Sequence, residues 1–303
     1  MKRRPFFLVG PTAVGKTEIA AEVARLIGAE VVSADAFQIY AGLDRLTAKP
    51  EPHILAAVPH HLVGIVPLTG AMNAAQFGER ALAAIEEIHR RGKPVVISGG
   101  SGMYVKALTH GLSPLPAADP ALREQLDQSS STDLLLRLEQ LDPETARVID
   151  RRNKRRLIRA LEICLLSGKP VSWQRRRGTP AEEPRGVFLF RDREDLYQRI
   201  NQRVEMMFAN GVVDEVRAAG AAGDTAAQTL GLEQIRALIA RQVSEAECIA
   251  QIQQATRRYA KRQLTWFSRQ SNFEPLNLTR HGLAESIESI TRKARQAFAQ
   301  QDD

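Results

Sequence analysis

The first 110 residues alternate between short apolar runs and longer stretches with helical spacing. Phe6–Val9, Glu30–Ser33 and Pro94–Ser98 read as strands, and near-continuous apolarity of this kind marks strands buried on both faces. Residues 16–27 and 73–91 read as helices, the second with an apolar stripe at Phe77, Leu82, Ile85 and Ile88. A Pro-punctuated stretch at 49–70, containing PHHLVGIVP, offers one more short strand. The turn Gly99–Gly102 then leads into a helix from Met103. Strand–helix alternation predicts an α/β fold, a parallel sheet with helices on both faces.

The pattern changes at residue 113. SPLPAADP is linker-like, and the next seventy or so residues are helical, polar and basic, without strand character. GVFLF at 186–190 restores the strand signal, with helical pattern to the end. The reading is an α/β core from 1–112 and 186–303, interrupted by an all-helical domain at 113–185. A chain of 303 residues has room for both.

Composition narrows the classes. Apolar content of 44% and charged content of 25% are those of a globular protein. No apolar run approaches the ~20 residues of a membrane span, and Met1–Pro5 runs directly into the first strand without a signal peptide. Cys164 and Cys248 make neither a disulfide framework nor a zinc site, and the adjacent His60 and His61 suit structural roles. A cytoplasmic protein with no membrane contact is expected, and nothing calls for an obligate dimer, so a monomer. The net charge of +7 is unevenly spread: Arg151–Arg191 holds twelve basic residues against three acidic ones. Such a patch suits an acidic partner, nucleic acid above all.

The sharpest motif is Gly10-Pro11-Thr12-Ala13-Val14-Gly15-Lys16-Thr17, which fits the Walker A pattern between a strand and a helix. Its backbone N–H groups and the following helix N-terminus form an anion site, Lys16 adds charge for phosphate, and Thr17 offers a hydroxyl to Mg²⁺. Ligands of open parallel sheets sit beyond the strands' carboxyl ends, where Asp35 and the Gly99–Gly102 turn also fall. Asp35 is the natural general base, although capping the next turn or a Walker B role would also use it. No apolar run ends directly in a Walker B aspartate, which points away from a motor ATPase. Arg199 and Arg203, one helical turn apart, could clamp phosphates. ATRRYAKRQLTWF at 255–267 mixes cations with aromatics, which suits RNA or a packed core.

These segments together resemble the tRNA dimethylallyltransferase (tRNA isopentenyltransferase) family, bacterial type. The matching stretches are GPTAVGKT at 10–17, SAD…QIY…TAKP at 33–50, PHHL at 59–62, GGSGMYVKAL at 99–108, LDPETARVID at 141–150, RRLIRALEI at 155–163 and TRRYAKRQLTWF at 256–267. The resemblance implies a P-loop NTPase-like core with an inserted helical domain. It also implies transfer of a dimethylallyl group from dimethylallyl diphosphate to N6 of the tRNA adenosine 3′ of the anticodon, with Mg²⁺. On that resemblance Asp35 is the base, Thr12 and Arg203 are catalytic, residues 10–17 hold the diphosphate, and Thr17 meets the metal. Asp35, Ala36, Phe37, Gln38, Ser101, Arg123 and the run Arg155, Arg156, Leu157, Ile158, Arg159 fall on tRNA-contacting positions. The chain departs from the usual SxDS, IGTAKP and GYRQ patterns at Ala36, Arg45-Leu46 and Leu232-Glu233. A P-loop small-molecule kinase using ATP would explain residues 10–17 but not the basic insertion. A nucleic-acid-binding ATPase would want the missing aspartate, and a cousin prenylating free adenine nucleotides would not need the patch.

Overall fold

The structure, a computed structural model, describes residues 4–113, 115–175, 184–270 and 273–300. The chain divides into two units, Met1–Thr109 with Glu182–Asp303, and His110–Ala181. The second unit spans 110–181, where the insertion is expected at 113–185.

The first unit is built on six parallel strands: β1 (Phe6–Val9), β2 (Glu30–Ala34), β3 (His60–His61), β4 (Val95–Gly99), β5 (Arg185–Phe190) and β6 (Glu274–Asn277). Their order is β3-β2-β4-β1-β5-β6, so β1 lies between β4 and β5. Alternate residues of β1, β2, β4 and β5 feed two cores. Phe6, Leu8, Val31, Val96 and Val187 join Ile19, Val23 and Ala24 of α1 (Lys16–Ile27) on one face. Phe7, Val9, Val32, Ile97 and Phe188 join Phe77, Ala81, Ile85 and Ile88 of α2 (Ala74–Arg90) on the other. Burial of both faces thus explains why the middles of these strands are apolar without alternation. The helices α3 (Gly102–Thr109), α4 (Arg193–Ala209), α5 (Glu245–Phe267) and α6 (Leu283–Ala299) complete the covering layers.

Three expectations change. Leu82 is 53% exposed, and Ala81 takes its place in the α2 stripe, the spacing 77, 81, 85, 88 following the helical turn more closely. The segment after β5 is not helical throughout, because β6 pairs with β5 from Val187↔Glu274 to Phe190↔Asn277. The strand expected in 49–70 is just the two-residue β3, and the stretch also forms the helix Pro52–Ala57 and a bridge, Tyr40↔Val66.

The second unit packs its own core. Leu126, Leu134, Leu138, Leu157 and Leu161 are buried among the helices Pro120–Asp127, Ser131–Leu141 and Lys154–Ser167. Asp142 accepts from Thr145 N and Oγ1 and from Ser172 N and Oγ, tying three of its segments together.

Candidate active site

Residues 10–17 leave the carboxyl end of β1 and enter α1. Gly15 is the helix N-cap at φ 102°, and among the described residues no side chain caps α1. Glycine takes that conformation freely, and the first-turn N–H groups are left to an anion. Ala13 is also left-handed, at φ 63°, a strain of order 1 kcal/mol of the kind held at functional sites. Lys16 Nζ donates to the Pro11 carbonyl at 2.6 Å, inside its own loop. Burial draws the Lys16 ammonium down to about 8, with Asp35 opposing that shift and Arg203 adding to it.

Three guanidiniums reach this loop. Arg191 Nε donates to Val14 O at 3.0 Å and Arg199 Nε to Ala13 O at 3.0 Å. Arg203 Nη1 donates to Thr12 Oγ1 at 3.0 Å and Nη2 to Thr47 O at 3.4 Å. One turn apart on α4, Arg199 and Arg203 therefore meet consecutive loop residues. Burial holds the Arg203 guanidinium below its ordinary value, against the pull of Asp35 and Glu18.

Asp35 follows the end of β2. Its Oδ1 accepts from Phe37 N at 2.9 Å and Gln38 N at 3.3 Å, so the carboxylate does cap the next turn. Both bonds fall on Oδ1, and Oδ2 takes no part in the cap. Ser101 Oγ accepts from Ala36 N at 2.8 Å, which joins the glycine turn after β4 to this segment. Gln38 is spanned between Ser33 Oγ and the Ala48 carbonyl. Phe37 packs at a tilt on Tyr259, 5.5 Å between centroids. Burial, with the nearby Asp35 charge, pushes the Tyr259 hydroxyl well above the ordinary phenol range.

One pocket gathers these groups. Thr12, Asp35 and Arg203 line it beside an apolar wall of Leu46, Ile200, Val204, Met207, Leu230 and Ile252. Tyr259 and Thr256 of α5 complete the lining. The wall is held from behind: Glu215, of the helix Val212–Ala218, accepts from Arg45 N at 2.8 Å and Leu46 N at 2.9 Å. It thereby caps the short helix Asp44–Thr47 that carries Leu46 and the Arg203 acceptor Thr47.

The remaining candidate positions lie in the second unit. Arg123 makes paired bonds to Glu162, Nε to Oε1 at 2.9 Å and Nη2 to Oε2 at 3.0 Å. Arg159 donates to Glu162 Oε2 at 2.6 Å and to the Pro116 carbonyl. Glu162 itself is fully buried, and its partners hold its carboxyl below the usual range against the cost of burial. Leu157 and Ile158 are buried core, leaving only their backbone to a partner, whereas Arg155 and Arg156 are exposed. On α5, Arg258, Lys261 and Arg262 are exposed, while Arg257 is drawn inward to Asn201 Oδ1 and the Tyr197 ring. His61 pairs with Glu30, and both cysteines are buried. No cluster of three His, Cys, Asp or Glu side chains suited to a metal occurs among the described residues.

Gln263, Glu215 and the wall at Leu46–Thr47 carry no motif in the sequence, and Arg191, counted with the basic patch, holds the loop instead. A helical stripe was available for the first: Thr256, Tyr259 and Gln263 fall on one face of α5.

Residues 38–270 match the family model described as IPP transferase. A tRNA dimethylallyltransferase of Akkermansia muciniphila is 44% identical over 87% of this chain and 90% of its own. One from Citrifermentans bemidjiense, tRNA dimethylallyltransferase 1, is 41% identical over 89% of this chain and 91% of its own. Among solved structures, the full-length tRNA isopentenylpyrophosphate transferase of Bacillus halodurans superposes with a TM-score of 0.72 at 32% identity, over the whole of both chains.

Proposed function

Since the chain belongs to the IPP transferase family, a family of tRNA-modifying prenyltransferases, we propose the following division of labour at its P-loop pocket. The enzyme transfers a dimethylallyl group from dimethylallyl diphosphate to N6 of the adenosine 3′-adjacent to the anticodon of tRNA, releasing diphosphate. The observation that carries the assignment of roles is the single pocket in which Thr12, Arg203 and Asp35 adjoin an apolar wall. A diphosphate needs the first two, a five-carbon chain the wall, and an amine nucleophile the carboxylate.

The loop amides of residues 13–17, Lys16 and Arg203 hold the diphosphate, with Thr12 orienting the guanidinium. As the N6 lone pair forms a bond to C1 of the prenyl group, the C1–O bond breaks and its electron pair leaves with the diphosphate. Asp35 takes the N6 proton, which frees a lone pair otherwise delocalised into the ring. Lys16 and Arg203 stabilise charge as it grows on the departing oxygen. No phosphoryl group moves, so the Walker A loop serves a leaving group. Mg²⁺ fits this donor set, because it takes few protein oxygens and fills its shell with phosphate and water. Thr17 Oγ1 would hold it beside the diphosphate, where it would neutralise leaving-group charge. The adenine must leave its stack to reach the pocket, as in other base-modifying enzymes. Arg155, Arg156, Ser101 and residues 35–38 serve the tRNA, while Arg123 and Arg159 order the second unit through Glu162.

Incubation of the protein with unmodified tRNA, Mg²⁺ and labelled dimethylallyl diphosphate tests this. Label entering the RNA at that adenosine is expected. Unlabelled RNA together with ATP turnover on a small substrate would overturn it in favour of a kinase.

A further inference from the structure

Gln263 is an uncharged side chain on α5, 5% exposed, with both ends of its amide engaged. Its Oε1 accepts from Thr12 N at 2.9 Å, and its Nε2 donates to the Gly100 carbonyl at 2.8 Å. A backbone N–H only gives and a carbonyl only takes, so one orientation of the amide serves both. Space is tight: a Cβ at Gly100 would lie 2.4 Å from Gln263 Nε2 and 2.7 Å from the Gly10 carbonyl. Two loops and a helix converge there at backbone distance.

Each bond continues toward a reacting group. From Thr12, the side-chain hydroxyl meets Arg203 at the phosphate end of the pocket. From Gly100, the next residue Ser101 accepts from Ala36 N, beside Asp35. We propose that Gln263 is a positioning residue for the transfer reaction, fixing the phosphate loop and the Asp35 segment at a set separation. This rests on the function proposed above. The prenyl donor spans that separation, with its diphosphate at one end and the carbon under attack at the other. A shift of about 1 Å between them costs on the order of 100-fold in rate. The Thr12 amide is committed to Gln263, so the grip on the diphosphate falls to the later loop amides and Lys16.

The test uses two variants of the full chain. Gln263→Leu removes both bonds at similar volume. Gln263→Glu keeps the acceptor for Thr12 N but, when ionised, sets a carboxylate against the Gly100 carbonyl; protonated, it donates there as the amide does. Transfer to tRNA is measured between about pH 5.5 and pH 8.5, and affinity for inorganic pyrophosphate with Mg²⁺ is measured by calorimetry without RNA. The expected result is a kcat about 100-fold below wild type for Gln263→Leu at every pH, with KM for the prenyl donor moved much less. For Gln263→Glu, the ratio to wild type rises at least tenfold as pH falls, in kcat and in pyrophosphate affinity alike. Taking the ratio removes the titration of Lys16, which both proteins carry. A pH-independent ratio for Gln263→Glu, or wild-type kcat in both variants, would overturn the inference. If Gln263→Leu fails to fold, the acid recovery of Gln263→Glu still decides. Because pyrophosphate is read without RNA, a wild-type protein that does not prenylate tRNA would sink the functional reading, while the pyrophosphate ratio still decides this one.

Discussion

At the scale of single residues, the pocket separates two charges that would otherwise cancel. Asp35 is kept from pairing with the Arg203 guanidinium because each is engaged locally, Asp35 by its own turn and Arg203 by Thr12 and Thr47. Asp35→Ala is therefore expected to lower kcat by about 10²–10⁴-fold, the range for a general base, while tRNA affinity in a filter-binding assay changes little. Near-normal transfer would remove Asp35 as the base. Lys16 gives a pH dependence. Its ammonium, drawn down to about 8, loses its proton in the free enzyme above that pH, and an arriving diphosphate draws the proton back. Pyrophosphate affinity is thus expected to be level below about pH 8 and to fall by up to about tenfold per unit above it, with proton uptake on binding seen by calorimetry in two buffers. Asp35 and Lys16 were legible in the sequence because their motifs fix both residue type and context. Gln263 was not, since a lone glutamine in a basic, aromatic helix carries no signal until its two partners, about 160 and 250 positions away, are brought beside it.

At the scale of elements, β1, β2, β4 and α1 were readable because burial on both faces makes strands wholly apolar and helix spacing distinct. The strand β6 was not: Glu-Pro-Leu-Asn has no period, and only its pairing with β5 makes it a strand. The apolar wall was hidden for a similar reason, as it is set by a helix of four residues, Asp44–Thr47. Its N-terminus is capped from a distance by Glu215, whose side chain is 8% exposed. Glu215→Ala should cost about 1–2 kcal/mol, as other N-cap losses do, visible as a lowered Tm. Since that helix carries Leu46 and Thr47, KM for dimethylallyl diphosphate should rise several-fold while tRNA affinity holds. A Tm change with wild-type KM would show that the cap does not shape the wall.

At the scale of the whole molecule, the basic insertion proves to hold arginines of two kinds. Arg155 and Arg156 are exposed, whereas Arg123 and Arg159 are drawn onto the buried Glu162. The sequence showed the charge surplus but not this division, which depends on one acidic residue becoming fully buried. Reversing Arg155 and Arg156 to Glu is expected to weaken tRNA binding and reduce the slope of log affinity against log salt by about one to two units, with Tm unchanged. Arg159→Glu should instead destabilise the unit, by roughly 3 kcal/mol. That is the low end for breaking a buried pair, because the guanidinium still reaches solvent. If both variants alter only RNA affinity, the division is wrong.

The sheet order also governs how the protein is made. β1 leaves the ribosome well before β5, its partner on one side, which follows only after residues 110–181 have been translated. At about 5–20 residues per second, those seventy or so residues take roughly 4–14 seconds. Throughout that interval the edge of Phe6–Val9 lacks its β5 neighbour, while the insertion can fold on its own core. The nascent chain therefore carries a half-sheet whose open edge can pair with other chains, so the yield of active enzyme depends on how fast that edge is covered and not on the pocket alone.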